Sequence, residues 1–296
     1  YIRVFLPNQI FVKTHQNKFS ESVTFNLQKW QNEKGFKKLL SYFYNQTSFL
    51  IDRKIKRKED NFDLNPFDNS EIDLLGLNTS FRNSLFYNRG KQKHSTTYTF
   101  LNSRARNLLS IGSQESKNQS HQLQYQHLFQ TNWLFEADGK TIKTATLIKD
   151  IGFTETISSR NYEIKGYQFM PKVSYLFSKN ASWDLFYEFQ KKDNQIGELE
   201  SLKQSRFGTS FTFSNEKKLT MNGEFSLYNN DFVGSQTTPA AFQILEGLQA
   251  GKNTVWRLLI QKNLTQYLDV NVNYQGRKSE TSQTIHTGSV QLRAYF

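Results

Sequence analysis

Five histidines, His15, His94, His121, His127 and His286, are the side chains best suited to proton transfer or metal binding near neutral pH. None sits at a spacing that gathers ligands. His121 and His127 share one face of an extended chain, but about 20 Å of strand separates them, too far for a shared metal ion. The chain has no Cys, which excludes thiol nucleophiles, Cys-ligated zinc and disulfide scaffolds. Gly-x-Ser-x-Gly, phosphate-loop, dinucleotide and His-Glu-x-x-His patterns are absent. A pair such as Asp184 and Glu188 reads as two wall carboxylates, not as an acid/base couple. No enzymatic activity, cofactor or metal is expected.

The more orderly charges occur where polar and apolar residues alternate. Arg82, Asp184, Glu188, Arg206, Glu224, Arg257, Asp269, Arg277 and Arg293 each fall on the polar side of such a stretch. A period of two places the two sets on opposite faces of a strand. These nine residues are therefore expected on one polar face. There they could steer anions or polar solutes through a pore. They could equally pair with one another, because an unpaired buried charge is costly.

The elements that carry them are strands along most of the chain. Residues 1–12 read as a strand interrupted by Pro7. Val23, Phe25 and Leu27 oppose Ser22, Thr24, Asn26 and Gln28, in a strand running to Trp30. A return strand is expected over 36–51, and others over 72–87 and 93–106. Over 121–135, Gln122, Gln124, Gln126, Gln130 and Asn132 oppose Leu123, Tyr125, Phe129 and Trp133, a separation that helical spacing would scatter. Asp138-Gly139 signals a hairpin turn over 137–140, followed by a weaker strand to 149. Strands follow over 163–177 and 181–190, around Phe207–Phe213, over 219–227 and 256–261, over 268–277, and in the last residues. A short helix fits Ala240 to Leu248.

Composition agrees. Phe and Tyr number 26 and 14 and aromatics reach 15%, yet the mean hydropathy is −0.67. A closed barrel in a membrane combines these values, since it spreads a thin apolar band over many strands around a polar lumen. No apolar run is long enough for a transmembrane helix. The net charge of +12 is scattered apart from Arg53–Lys58, which reads as a solvated loop or strand end beside headgroups. Without a helix-turn-helix, zinc ligands or an RNA-recognition signature, nucleic acid is not an expected partner.

Short connections fall near 32–35, 88–91, 137–140, 178–180, 215–218 and 263–266. Long ones fall near 52–71, 107–120, 150–161, 191–202, 229–252 and 278–283. The alternation matches short periplasmic turns and longer extracellular loops. The whole chain, 1–296, is thus expected to form one all-β, transmembrane, antiparallel up-and-down β-barrel of about 14 strands. Trp30, Tyr98, Trp133, Trp183, Trp256 and Phe296 are placed to form interfacial aromatic belts.

The ending, TIHTGSVQLRAYF over Thr284–Phe296, alternates His286, Gly288, Val290, Leu292, Ala294 and Phe296 against Thr287, Ser289, Gln291, Arg293 and Tyr295. It resembles the C-terminal strand of bacterial outer-membrane β-barrel proteins, whose terminal Phe helps mark them for assembly. From Ile244 to Phe296, ILEGLQAGKN, W-x-L, NYQGRKSE and IHTGSVQLRAYF are similar to the C-terminal end of large outer-membrane proteins of Bacteroidota. This resemblance implies a barrel that ends a longer polypeptide, a location in the bacterial outer membrane and protein partners in an outer-membrane complex. A barrel so placed also contacts outer-membrane lipid, including lipopolysaccharide. The function expected is an anchor or scaffold subunit of a larger complex. The alternatives are a porin-like channel for polar or anionic solutes and, last, a barrel enzyme.

Overall fold

A computed structural model describes residues 12–57, 65, 67, 73–90, 93–109, 112–150, 160–197, 199–215 and 218–295. Among the described residues thirteen strands form a single antiparallel sheet in sequence order. They are β1 Thr14–Asn26, β2 Phe43–Lys56, β3 Leu74–Tyr87, β4 His94–Leu109, β5 Gly112–Phe129, β6 Trp133–Asp150 and β7 Tyr162–Ser178. The series continues with β8 Ala181–Asn194, β9 Ser201–Asn215, β10 Leu219–Val233, β11 Gly251–Thr265, β12 Leu268–Ser279 and β13 Ile285–Ala294. Two short helices, α1 Phe36–Leu40 and α2 Pro239–Leu245, interrupt connections. The expected up-and-down all-β order is therefore present. Among the described residues β1 and β13 are the two edges and do not pair with each other. The expected first strand, residues 1–12, lies outside the described residues except for Val12, and so does Phe296. No described helix is long and apolar enough to cross a membrane.

Register fixes the faces, because residues directly opposite in an antiparallel pair point the same way. One row runs Trp133, Tyr175, Trp183, Phe211, Gly223, Leu258, Tyr274, Gly288. Another runs Asp184, Ser210, Glu224, Arg257, Gln275, Thr287. The first belongs to an outer face dominated by exposed aromatic and aliphatic side chains, among them Phe169, Val173, Tyr187, Phe207 and Leu227. The second belongs to an inner face of Ser, Thr, Asn, Gln and charged residues. This apolar-out, polar-in division is the one a lipid-embedded barrel wall requires.

Four local expectations are corrected. The turn between β5 and β6 is Gln130–Asn132, not 137–140. Gln130 adopts φ +54°, and the Asn132 side chain donates to the Leu176 carbonyl at 2.9 Å, tying the turn to β7. Asp138 instead sits mid-strand and accepts from Gln122 Nε2 at 2.5 Å. Residues 112–120, expected as a loop, form the first half of β5, paired in full with β4 and β6. That leaves 110–111 as a short link on the side of the long connections. The return strand begins at Phe43 rather than 36, because Phe36–Leu40 coils into α1. Trp30 closes a 3-10 turn over Gln28–Trp30 rather than a strand. The β1–β2 connection is thus long on the short-turn side and the β4–β5 connection short on the other, so the alternation of loop lengths is not strict.

Candidate functional site

The nine expected inner-face charges all share one face by register. The structure brings three of them into direct contact. Arg206 on β9 donates from Nη1 to Glu188 Oε2 at 3.2 Å and from Nη2 to Glu224 Oε1 at 2.5 Å. Its Nε also donates to Ser226 Oγ at 3.2 Å, and Ser226 donates to Glu224 Oε1 at 3.1 Å. The guanidinium lies 4.6 Å from the Phe186 ring centroid and 5.2 Å from that of Tyr228. Planar, always charged and rich in donors, Arg suits this mixture of carboxylate and ring contacts better than Lys. Strands β8, β9 and β10 supply every member, so rigid backbone pairing holds the cluster.

Phe186 fits the polar face because its neighbour across the strand is Gly208. A Cβ at 208 would lie 2.2 Å from the Phe186 ring. The sequence reading missed Phe186 and Tyr228. The available signal was two aromatics at inner-face positions where the pattern otherwise demands polar residues.

Above the cluster, the β10–β11 connection folds inward. Thr238 caps α2 by accepting from the Ala241 amide at 3.1 Å, with Pro239 next in line. Ile244 and Leu245 pack on Ile164 and Leu202, with Tyr162 and Phe232 alongside. Lys192, inner and buried, is paired with Glu246 just past the helix. Glu200, in the β8–β9 connection, receives the Thr238 hydroxyl and the Asn194 amide, the latter at 2.7 Å. Burial alone would raise the pKa of Glu200, but these two hydrogen bonds outweigh it and hold the carboxyl below its ordinary value. The helix expected over Ala240 to Leu248 is therefore present, starting one residue earlier and ending three sooner.

The remaining charges disperse. Asp184 accepts from Ser210 Oγ at 2.9 Å. Arg257 is exposed, directly opposite Glu224 in register. Arg277 donates to the Gly247 carbonyl at 3.3 Å, reaching the α2 connection. Asp269 faces Arg293 in register and accepts from Tyr295 Oη at 3.0 Å. Arg82, on β3, is far along the sheet from the Arg206 cluster.

Two of the expected interface aromatics, Trp133 and Trp183, lie near the short-turn ends of their strands. Trp133 meets Tyr175 edge-on at 4.9 Å. Trp183 donates from Nε1 to Thr209 Oγ1 at 2.6 Å. Trp256, one row higher, lies flat over Gly276, where a Cβ would meet the indole at 2.1 Å. Trp30 is half-buried with Lys29 Nζ 5.9 Å from its ring. The histidines are less solitary than their spacing implies. His94 and His127 face each other with ring centroids 6.5 Å apart, and His121 and His286 each have a Tyr hydroxyl within 3 Å, at 2.8 and 2.9 Å. No group of three His, Cys, Asp or Glu among the described residues is placed to hold a metal ion.

The chain matches no protein-family model and no curated protein sequence. Its fold does match solved structures. The ferric-catecholate import receptor Fiu of E. coli superposes with a TM-score of 0.50 at 10% identity, over 97% of this chain and 57% of the receptor. The outer-membrane transporter YddB of E. coli gives 0.48 at 7% identity, over 93% of this chain and 50% of the transporter. The translocator domain of the autotransporter NalP from Neisseria meningitidis gives 0.34 at 8% identity, over 98% and 90%. At such identities the likeness concerns the fold, which is that of outer-membrane β-barrels.

Proposed function

We propose that this chain is the membrane wall of a bacterial outer-membrane barrel and serves as an anchor or scaffold subunit of a larger outer-membrane complex. The observation that carries the reading is the ion-paired inner face of β8–β10, with α2 packed onto it. A conducting pore that selects anions keeps cations free toward its lumen. Here Arg206 is spent on Glu188 and Glu224, Lys192 on Glu246, and α2 packs inward onto the wall. The similarity of Ile244–Phe296 to the ends of large Bacteroidota outer-membrane proteins supports the same reading, since there the barrel anchors further chain.

A channel for polar or anionic solutes is the second reading, favoured by Arg257 and Arg293, which stay exposed on the inner face of β11 and β13. Planar-bilayer recording separates the two. An anchor, with insertion verified by protease protection, gives no stable single-channel steps. A channel gives reproducible steps whose anion preference drops when Arg257 and Arg293 are changed to Gln.

A further inference from the structure

At the short-turn end of β11–β13, two adjacent register rows carry only polar side chains on the inner face. One row is Gln261, Asn271, Gln291, and the other is Asn263, Asp269, Arg293. They share parity with Arg257, Gln275 and Thr287, which places them all inside. Neighbouring strands stand about 4.8 Å apart and the two rows about 7 Å apart, so the block is compact. These six residues line one cavity of about 240 Å³. Pairing of three consecutive strands holds every member, so the cavity is built on rigid elements.

Three groups in this block have unmet bonding capacity. Asn271 Oδ1 is buried and accepts no hydrogen bond among the described residues. A buried acceptor without a donor is unfavourable until a donor arrives. Asp269 and Arg293 stand directly opposite each other, where opposite charges ordinarily pair. Here the Asp269 carboxylate is engaged by Tyr295, whose hydroxyl donates to Oδ2 at 3.0 Å. Arg293 is exposed and makes no hydrogen bond or ion pair among the described residues. Carboxylate and guanidinium are thus two separate sites on one cavity.

Their chemistry defines a ligand. A carboxylate beside an orphaned amide oxygen is an acceptor pair, which suits an ammonium group. A guanidinium is a fork of donors, which grips a carboxylate through two parallel hydrogen bonds. Asp269 and Asn271 are two residues apart on β12, and Arg293 is one strand away on β13. Both charges of one small molecule are therefore met in one cavity. The amides of Gln261, Asn263 and Gln291 offer donors and acceptors for a peptide group between its ends. A plain anion would face Asp269 and leave Asn271 Oδ1 without a donor. A plain cation would face Arg293.

We propose that this inner corner binds a small zwitterion with a free α-ammonium and a free carboxylate, an amino acid or a dipeptide. The ammonium sits between Asp269 and Asn271 Oδ1, and the carboxylate sits on Arg293. The site requires the polar inner face alone, so it goes beyond the anchor and channel readings and stands with either.

The test is equilibrium dialysis of radiolabelled glycylglycine against the full chain folded in non-ionic detergent. Folding of every variant is checked by heat-dependent gel migration. Unlabelled glycine, glycinamide and N-acetylglycine compete: the first carries both charges, the second only the ammonium, the third only the carboxylate. The expected result is saturable binding of glycylglycine, with glycinamide and N-acetylglycine roughly tenfold weaker or worse, because each loses hydrogen bonds to a charged group. Glycine at any strength above those two supports the site; parity with glycylglycine marks an amino-acid site, and weaker competition a dipeptide site. Arg293→Gln should weaken glycylglycine by about tenfold or more and bring it level with glycinamide. Asp269→Asn should weaken it likewise and bring it level with N-acetylglycine. A merely structural defect would lower all probes together and leave their ranking intact. Lys140→Gln, at an inner-face cation of β6, should bind as the unaltered chain does. Absence of saturable binding overturns the proposal, as does equal competition by the singly charged analogues or an unchanged ranking in both charge variants.

Discussion

Arg206 is the residue on which the inner wall turns. Two carboxylates, a hydroxyl and two rings converge on its guanidinium. Removing one partner of such a set leaves the others desolvated and unpaired, which costs more than the set contributes against neutral replacements. Arg206→Ala should therefore lower stability by about 2–4 kcal/mol. The triple change Arg206→Met, Glu188→Gln, Glu224→Gln should recover most of that loss. Urea midpoints of the vesicle-inserted protein check both. Equal losses in the single and triple variants would show that the stabilisation comes from Arg packing rather than charge pairing.

At the scale of elements, the inward connection carrying α2 is held from outside the membrane-spanning region by Glu200. Its carboxyl titrates below the ordinary value of 4.5 in the folded chain. A folded pKa below the unfolded one means that the stabilisation is complete above the ordinary carboxylate range and is lost as pH falls through the folded value. Amide protection factors over 235–249, which correct for the pH dependence of intrinsic exchange, should thus be high at neutral pH and fall below pH 4.5. Glu200→Gln should show low protection throughout and lose that acid dependence. An acid step that survives in the variant would assign the switch to another group.

The elements also show what could be read from sequence and what could not. Strands β7, β8, β10 and β12 were legible because lipid on one side and a polar interior on the other impose a period of two. Residues 112–120 were not, because that part of β5 rises beyond the apolar band, where neither face needs apolar residues, and a strand of Gln, Ser, Lys and Asn looks like a loop. Asp138-Gly139 misled for the opposite reason: a strong local turn signal yielded to continuous pairing with β5 and β7. The shared face of the nine inner charges followed from parity alone. That Arg206 meets Glu188 and Glu224, or that Lys143 faces Lys165, depends on register, which is set by where each turn falls.

For the whole molecule, the thirteen strands in sequence order, the apolar outer face and the polar inner face describe one wall of a lipid-embedded barrel. Both functional readings, anchor and channel, depend on that division between faces. The chain has no Cys of its own, so single cysteines report on single positions without background. The most direct measurement places them one at a time along β8, from Ser182 to Lys191, in protein inserted into vesicles, and attaches a fluorophore to each. A membrane-dissolved quencher should dim the label at positions 183, 185, 187 and 189 and spare 182, 184, 186, 188 and 190. Quenching without a period of two, or full accessibility to an aqueous quencher at the odd positions, would contradict the barrel wall.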